Sequence, residues 1–198
     1  MYEYLDNPLK HLNKLAKQIT LNCGEETSIE ILNGLTYVTG NEDPKEAAAW
    51  ADKITQRLEQ YLNEKTIIKI REECACVYTN KYSTYNKKYF KELRENNKNE
   101  DDYLKAVAKF LSGRPRIGKL VEFKDNFIVT YLGEKRKCGC FVVKGGWDKP
   151  PSKTWCRCCQ GCLLSVYRFI LPNKNCNMDI IETLATGGKD CVFKTWFT

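Results

Sequence analysis

Three cysteine doublets share one spacing: Cys74-Ala75-Cys76, Cys138-Gly139-Cys140 and Cys156-Arg157-Cys158. In extended chain, residues i and i+2 project to the same face, so each doublet would offer two thiolates to one side. A kink must still bring the two sulfurs within reach of a common ion, and Gly139 could supply it in the second doublet. Zinc takes four ligands in a tetrahedron, and four cysteines are a standard structural solution. The second and third doublets are separated by fifteen residues that include Gly145, Gly146, Pro150 and Pro151, so four sulfurs are easily gathered there. The first doublet lies sixty-one residues earlier, and its participation depends on the tertiary fold. The expected ligands are therefore Cys138, Cys140, Cys156 and Cys158, with Cys74 and Cys76 joining them. The expected metal is zinc; an iron–sulfur cluster is the alternative, since thiolate ligation alone does not separate the two. The competing structural reading is that free cysteine fills a core as a small hydrophobe.

Cys159-Gln160-Gly161-Cys162 supports a different chemistry. It is a Cys-x-x-Cys at the start of an expected helix, where the helix dipole favours the thiolate. That is the arrangement of a dithiol redox pair, although its flanks lack a βαβ pattern. Cysteine–histidine hydrolysis has less support. The single histidine, His11, is expected on the polar side of the first helix, as a surface residue. A nucleophilic cysteine would then need Glu182 or a lysine as base. Glu182 itself reads equally as a general base, a neighbour of metal ligands or a solvated carboxylate. Cys23, Cys176 and Cys191 have no nearby cysteine in sequence, and core filling is the default for them.

The elements that must position these residues divide by period. Leu5, Leu9, Leu12, Leu15, Ala16 and Ile19 recur at helical spacing. Asp43-Pro44 signals a helix start after a Gly40-Asn41-Glu42 loop, and Ala47, Ala48, Ala51, Ile54, Leu58, Tyr61 and Leu62 form its apolar face. Residues 66–71 are too few to classify by period. Helical patterns return over 84–95 and 100–111, and Ser112-Gly113-Arg114-Pro115 closes the helical part. The period then becomes two. A strand over 120–124 turns at Asp125-Asn126 into Phe127–Leu132, and 138–144 is read as a third strand. Leu163, Val166, Tyr167 and Ile170 mark a short helix, and strands over 178–185 and 191–197 flank Gly187-Gly188-Lys189-Asp190. The expected fold is α+β: N-terminal helices, an antiparallel β-meander, a crossover helix and a C-terminal β-hairpin. One domain over 1–198 is expected, with a mainly helical part (1–113) and a sheet-plus-helix part (114–198).

Composition narrows the function. A chain of 198 residues with 42% hydrophobic content can build a real core. No run approaches the roughly 18 apolar residues of a membrane helix, and the first residues lack a signal-peptide pattern. A cytoplasmic location follows as the expectation, and in that reducing setting eleven cysteines point to metal or chemistry rather than to a disulfide framework. The formal charge of +7 is spread along the chain and mixed with acids, as over 87–95, so solvated helix faces explain it better than nucleic-acid binding.

The C-terminal half also carries a resemblance. Trp155-Cys156-Arg157-Cys158-Cys159-Gln160-Gly161 is followed by an amphipathic helix, Ile181-Glu182-Thr183, and then Gly187-Gly188-Lys189-Asp190-Cys191-Val192-Phe193. This resembles the small-molecule-binding superfamily of the 4-vinyl-reductase-type domain and the L-2-amino-thiazoline-4-carboxylate hydrolase-like proteins. Within it, the likeness is to an uncharacterised, cysteine-rich bacterial family. The resemblance covers 138–197 and extends to Cys74-Ala75-Cys76. It implies an α+β fold with a ligand pocket between helices and sheet, and site positions at the three doublets, Glu182 and Cys191. Cys159 and Cys162 depart from its pattern. The expected function is a zinc-thiolate domain that binds a small molecule in a sensing or carrier role. The alternative is a thiol-dependent enzyme, either a dithiol redox protein at Cys159 and Cys162 or a zinc-assisted hydrolase.

Overall fold

The computed structural model describes residues 8–33, 41–75, 80–114, 117–133, 138, 140, 142–143, 146–149 and 151–198, with backbone alone for 8–10 and 80–86. Leu5, Gly40, Cys76, Pro115, Gly139, Gly145 and Pro150 fall outside the described residues, as does the side chain of Leu9.

The helices begin where side chains can satisfy their first free amides. α1 (Pro8–Cys23) and α2 (Glu25–Leu32) meet at Gly24, whose φ of 84° suits glycine. α3 (Pro44–Tyr61) is capped by the Asp43 carboxylate, which accepts the Lys45 amide at 2.9 Å, with Pro44 in the first turn. The segment left unclassified by period is helical: α4 (Glu64–Glu73) is capped by Asn63, which accepts the Thr66 amide at 3.0 Å. Ile67, Ile70 and Arg71 face inward from it. α5 (Asn80–Asn96) and α6 (Glu100–Leu111) follow, α6 capped by Asn99.

β1 (Leu120–Lys124) and β2 (Phe127–Tyr131) form a hairpin through Asp125 and Asn126, both at positive φ (51° and 66°), as a tight two-residue turn requires. Of the expected third strand over 138–144, the described residues 138, 140, 142 and 143 lie outside any strand, and Val142-Val143 forms a turn. α7 (Arg157–Tyr167) follows directly on a 3-10 turn over Lys153–Cys156. β3 (Cys176–Glu182) and β4 (Val192–Phe197) pair antiparallel, and β4 inserts beside β2, giving the order β1-β2-β4-β3. The fold is α+β as expected, with N-terminal helices, a β1-β2 hairpin, α7 and two C-terminal strands, and the described residues of 138–144 add no strand to the sheet.

Two apolar cores result. One joins α1, α2, α3 and α4 to Val142, Val143, Trp155, Cys74 and Cys158. The other packs α6 and the inner face of α7 onto Val121, Ile128, Met178 and Phe193 of the sheet. Both cores draw on both parts of the chain: α6 packs with the sheet, while Val142, Val143 and Trp155 pack with the helices. α7 belongs to both cores. Its Gly161 lies so close to α4 that a Cβ there would stand 2.2 Å from the Glu72 carbonyl oxygen.

Candidate thiol site

Burial next to backbone amides decides the chemistry of these sulfurs. The ten described cysteines form no disulfide, and several of them lie around Cys158 in the first turn of α7. Cys74, Cys138, Cys140, Cys156 and Cys159 all lie within electrostatic reach of its sulfur. Cys74 is the C-terminal cap of α4, fully buried. Burial pushes its thiol up to about 11, and the Arg71 guanidinium pulls the other way. Burial likewise raises Cys138, to about 12, against the pull of the Cys140 amide. Burial also raises Cys140, opposed by the amides of Val143 and Val142 and by the Trp155 indole. Cys156 is raised by burial, and its sulfur lies 3.4 Å from the Thr183 hydroxyl. Cys191 Sγ accepts the Leu184 amide at 3.4 Å.

The extended-chain geometry expected of the doublets is corrected at the third one. Cys156 and Cys158 sit on helical turns, not in extended chain. There, residues i and i+2 point to different sides. Cys156 turns toward Thr183, while Cys158 enters the helical core. Cys76 lies outside the described residues, so its place in the ligand set is left to the sequence. Among the described residues, no group of three or more His, Cys, Asp or Glu side chains is arranged, as it lies, to hold a metal ion.

Cys159 and Cys162 lie in the first two turns of α7, as expected, but that helix runs on from a preceding 3-10 turn. α7 continues the 3-10 turn capped by Ser152, and the Arg157 amide already donates to Thr154. The positive end of the helix is therefore one turn earlier. A hydrogen bond with the Cys158 thiol and then burial hold the Cys159 thiol far above its ordinary value. The residues between the two cysteines serve packing: the Gln160 amide donates to the Met178 carbonyl at 2.5 Å, and Gly161 meets Glu72. Glu182 is half-buried at the end of β3, where its carboxylate accepts the Lys189 amide at 3.4 Å. Cys191 and Phe193 fill the sheet core as expected; Cys176 and Cys23 are half-buried.

Sequence reasoning missed two residues. His11 is 1% exposed, in the helical core, with its ring edge-on to Trp155 at 6.4 Å. Burial pushes its pKa down to about 4, so the imidazole is neutral. Arg71 is 0% exposed. Its guanidinium donates to the carbonyls of Thr154 (3.3 Å) and Trp155 (2.5 Å) and lies 4.4 Å from the Trp155 ring centre. No signal in the sequence marked either, because the stretches around both are mixed polar and apolar. A cavity of about 280 Å³ opens between α3, α4 and the 3-10 turn, with Glu59, Glu64, Lys153, Thr154 and Arg157 in its lining. Arg157 is itself buried and pairs with Glu64 at 2.9 Å.

The molecule is thus a cysteine-rich α+β protein in which a buried thiol cluster joins a helical core to a small antiparallel sheet. The chain belongs to DUF6144, a family of unknown function, whose model matches residues 9–197. No curated protein and no solved structure matches it. Among the described residues, no helix is long and apolar enough to cross a membrane.

Proposed function

We propose that this protein is a metal-thiolate domain, with zinc as the metal, whose centre is drawn from the thiols around Cys158. The supporting observation is the donor set on the sulfurs. The amides of Cys140, Val142 and Val143 are directed at Cys138 and Cys140, and they oppose, without overcoming, the burial that raises both thiols. Without a cation, burial holds these thiols protonated, so they are poor nucleophiles. Bound zinc would offset the thiolate charge and tie the loop at 138–143 to α4 and α7. Such a closed site is structural and contributes directly to folding.

The finer reading adds a small molecule. The cavity beside Glu59 and Glu64 shares Arg157 with the Cys156–Cys158 segment, so an occupant there would act on the residue between two thiols of the cluster. The resemblance to the 4-vinyl-reductase-type superfamily supports such a sensing or carrier role. The thiol-enzyme alternative is weaker, because burial and the Cys158 contact raise Cys159.

Elemental analysis of the full chain, purified without a metal-affinity tag, tests the proposal. One zinc per chain is expected, with thiols becoming alkylatable as a chelator removes it. Several irons would replace zinc with a cluster. No stoichiometric metal, together with rapid alkylation of Cys159 or Cys162 at pH 8, would overturn the proposal in favour of thiol chemistry.

A further inference from the structure

Arg157 opens α7 and lines the cavity beside α3 and α4. The residue is 8% exposed, so its guanidinium, which stays charged in proteins, is held out of water. A buried charge is costly unless it is paired and its donors are satisfied. Arg157 meets that requirement only in part. Nη1 donates to the Gln160 side-chain oxygen at 3.4 Å, and Nη2 to a Glu64 carboxylate oxygen at 2.9 Å. Nε is buried and has no partner among the described residues.

The two ends of the ion pair differ. The Arg157 side chain is 9% exposed, whereas that of Glu64 is 74% exposed. A solvated carboxylate gains little from such a pair, because it gives up side-chain freedom and hydration to form it. The pairing is also one-sided. On a guanidinium, the Nε hydrogen and one Nη2 hydrogen point the same way, and that edge matches the two oxygens of one carboxylate. Glu64 uses half of the edge and leaves the other half bare. A carboxylate that is not tethered to α4 can take both hydrogens.

The walls narrow what carries that carboxylate. Leu62 and Ile67 supply the apolar part of the lining. Glu59 is fixed in place, since one of its oxygens accepts the Ser152 hydroxyl at 2.5 Å and the Thr154 hydroxyl at 2.7 Å. Glu59 and Glu64 cancel the formal charges of Lys153 and Arg157 around the cavity. A single carboxylate that displaces Glu64 keeps the guanidinium matched, whereas a doubly charged phosphate adds an excess charge beside Glu59. At about 280 Å³ the cavity falls just under the roughly 300–1,000 Å³ usual for ligand sites, so its occupant is small.

We infer that this cavity binds a small monocarboxylic acid with an apolar body, whose carboxylate takes Nε and Nη2 of Arg157 in place of Glu64. Glu64 is then a built-in placeholder that keeps the guanidinium paired until the acid arrives. The inference rests on the small-molecule part of the proposed function and gives that molecule a chemical class; it does not depend on the metal.

The probes are benzoate, 3-methylbutanoate, their uncharged amides and inorganic phosphate, each added to the full chain as purified. Binding is read from the arginine Nε–Hε resonances of nitrogen-15-labelled protein, that of Arg157 being assigned by its loss in Arg157→Lys. Both acids should shift the Arg157 resonance saturably, with a Kd of about 1 mM or tighter, within reach of so few heavy atoms. The amides and phosphate should bind more weakly by about 10-fold or more. Affinities in the variants are read from the α7 backbone amides of the same spectra. Glu64→Gln, at an exposed position, should tighten acid binding roughly 2- to 5-fold by removing the competitor. Arg157→Lys keeps the charge but loses the edge, and should weaken it by about 10-fold or more. Equal binding of acid and amide, or preferred binding of phosphate, would overturn the carboxylate class while a small-molecule cavity stands. Weaker acid binding in Glu64→Gln would overturn the placeholder, since Glu64 would then hold the ligand. No shift of Arg157 with either acid would overturn the inference outright, and the metal content of the same preparation tests the metal-thiolate reading separately.

Discussion

Replacing Gly161 by alanine tests the contact that brings Cys74 and Cys158 together. Glycine inside a helix is unfavourable by about 1 kcal/mol relative to alanine, so propensity alone makes Gly161→Ala stabilising. The packing opposes this. An added Cβ would lie 2.2 Å from the Glu72 carbonyl oxygen, 2.7 Å from its Cα and 2.8 Å from its carbonyl carbon. All three obstacles are backbone of α4, which no rotamer change can move. Restoring ordinary contact requires the helices to separate by roughly 1 Å, and overpacking of this kind costs about 1–3 kcal/mol. With backbone on one side the upper end applies, so the net loss is about 2 kcal/mol after the propensity gain. Urea denaturation followed by tryptophan fluorescence should show the midpoint falling by roughly 1 M at an unchanged slope of about 2 kcal/mol/M. A midpoint that rises would refute the close approach of α4 and α7. The convergence of their cysteines would fall with it.

Two further outcomes follow from single buried groups. The Tyr103 hydroxyl donates to the Ile170 carbonyl at 2.6 Å inside the sheet-side core; Tyr103→Phe leaves that acceptor bare and should lower stability by about 1–3 kcal/mol in the same urea assay. His11 has its pKa depressed from 6.5 to about 4 by burial. The unfolded chain therefore binds a proton that the fold refuses, and stability is lost as pH falls from about 6.5 toward 4. The full shift corresponds to about 3 kcal/mol. In chelator, wild-type protein and His11→Gln compared at pH 7 and pH 4.5 should differ in their acid loss by about 2 kcal/mol. Equal losses would mean that His11 is solvated.

Much of the fold was legible because it depends on neighbours in the chain. Asp43-Pro44 starts α3 by a side-chain cap two residues away, and Asp125-Asn126 turns β1 into β2 because such residues tolerate positive φ. The apolar faces of α3 and α6 are repeats that bury themselves wherever a core exists. The segment at 66–71 was ambiguous because its identity depends on the Asn63 cap and on a core for Ile67 and Ile70. The stretch at 138–144 alternates like a strand but meets no partner among the described residues; the amides of Val142 and Val143 turn onto Cys140 instead.

By itself, the sequence determined that this is an α+β chain with more thiols than a core needs, three pairs of them closely spaced. Those features are local: period, caps, turns and composition. Only the tertiary structure decided which thiols approach one another, because Cys74 and Cys140 are each brought toward Cys158 by helix crossing and loop return rather than by spacing. It also decided that His11 and Arg71 are buried beside them and that Gly161 is the point of closest approach. Burial is a property of what packs against a residue from elsewhere in the chain, and here it raises the thiols of Cys74, Cys138, Cys140 and Cys156 and lowers the His11 imidazole.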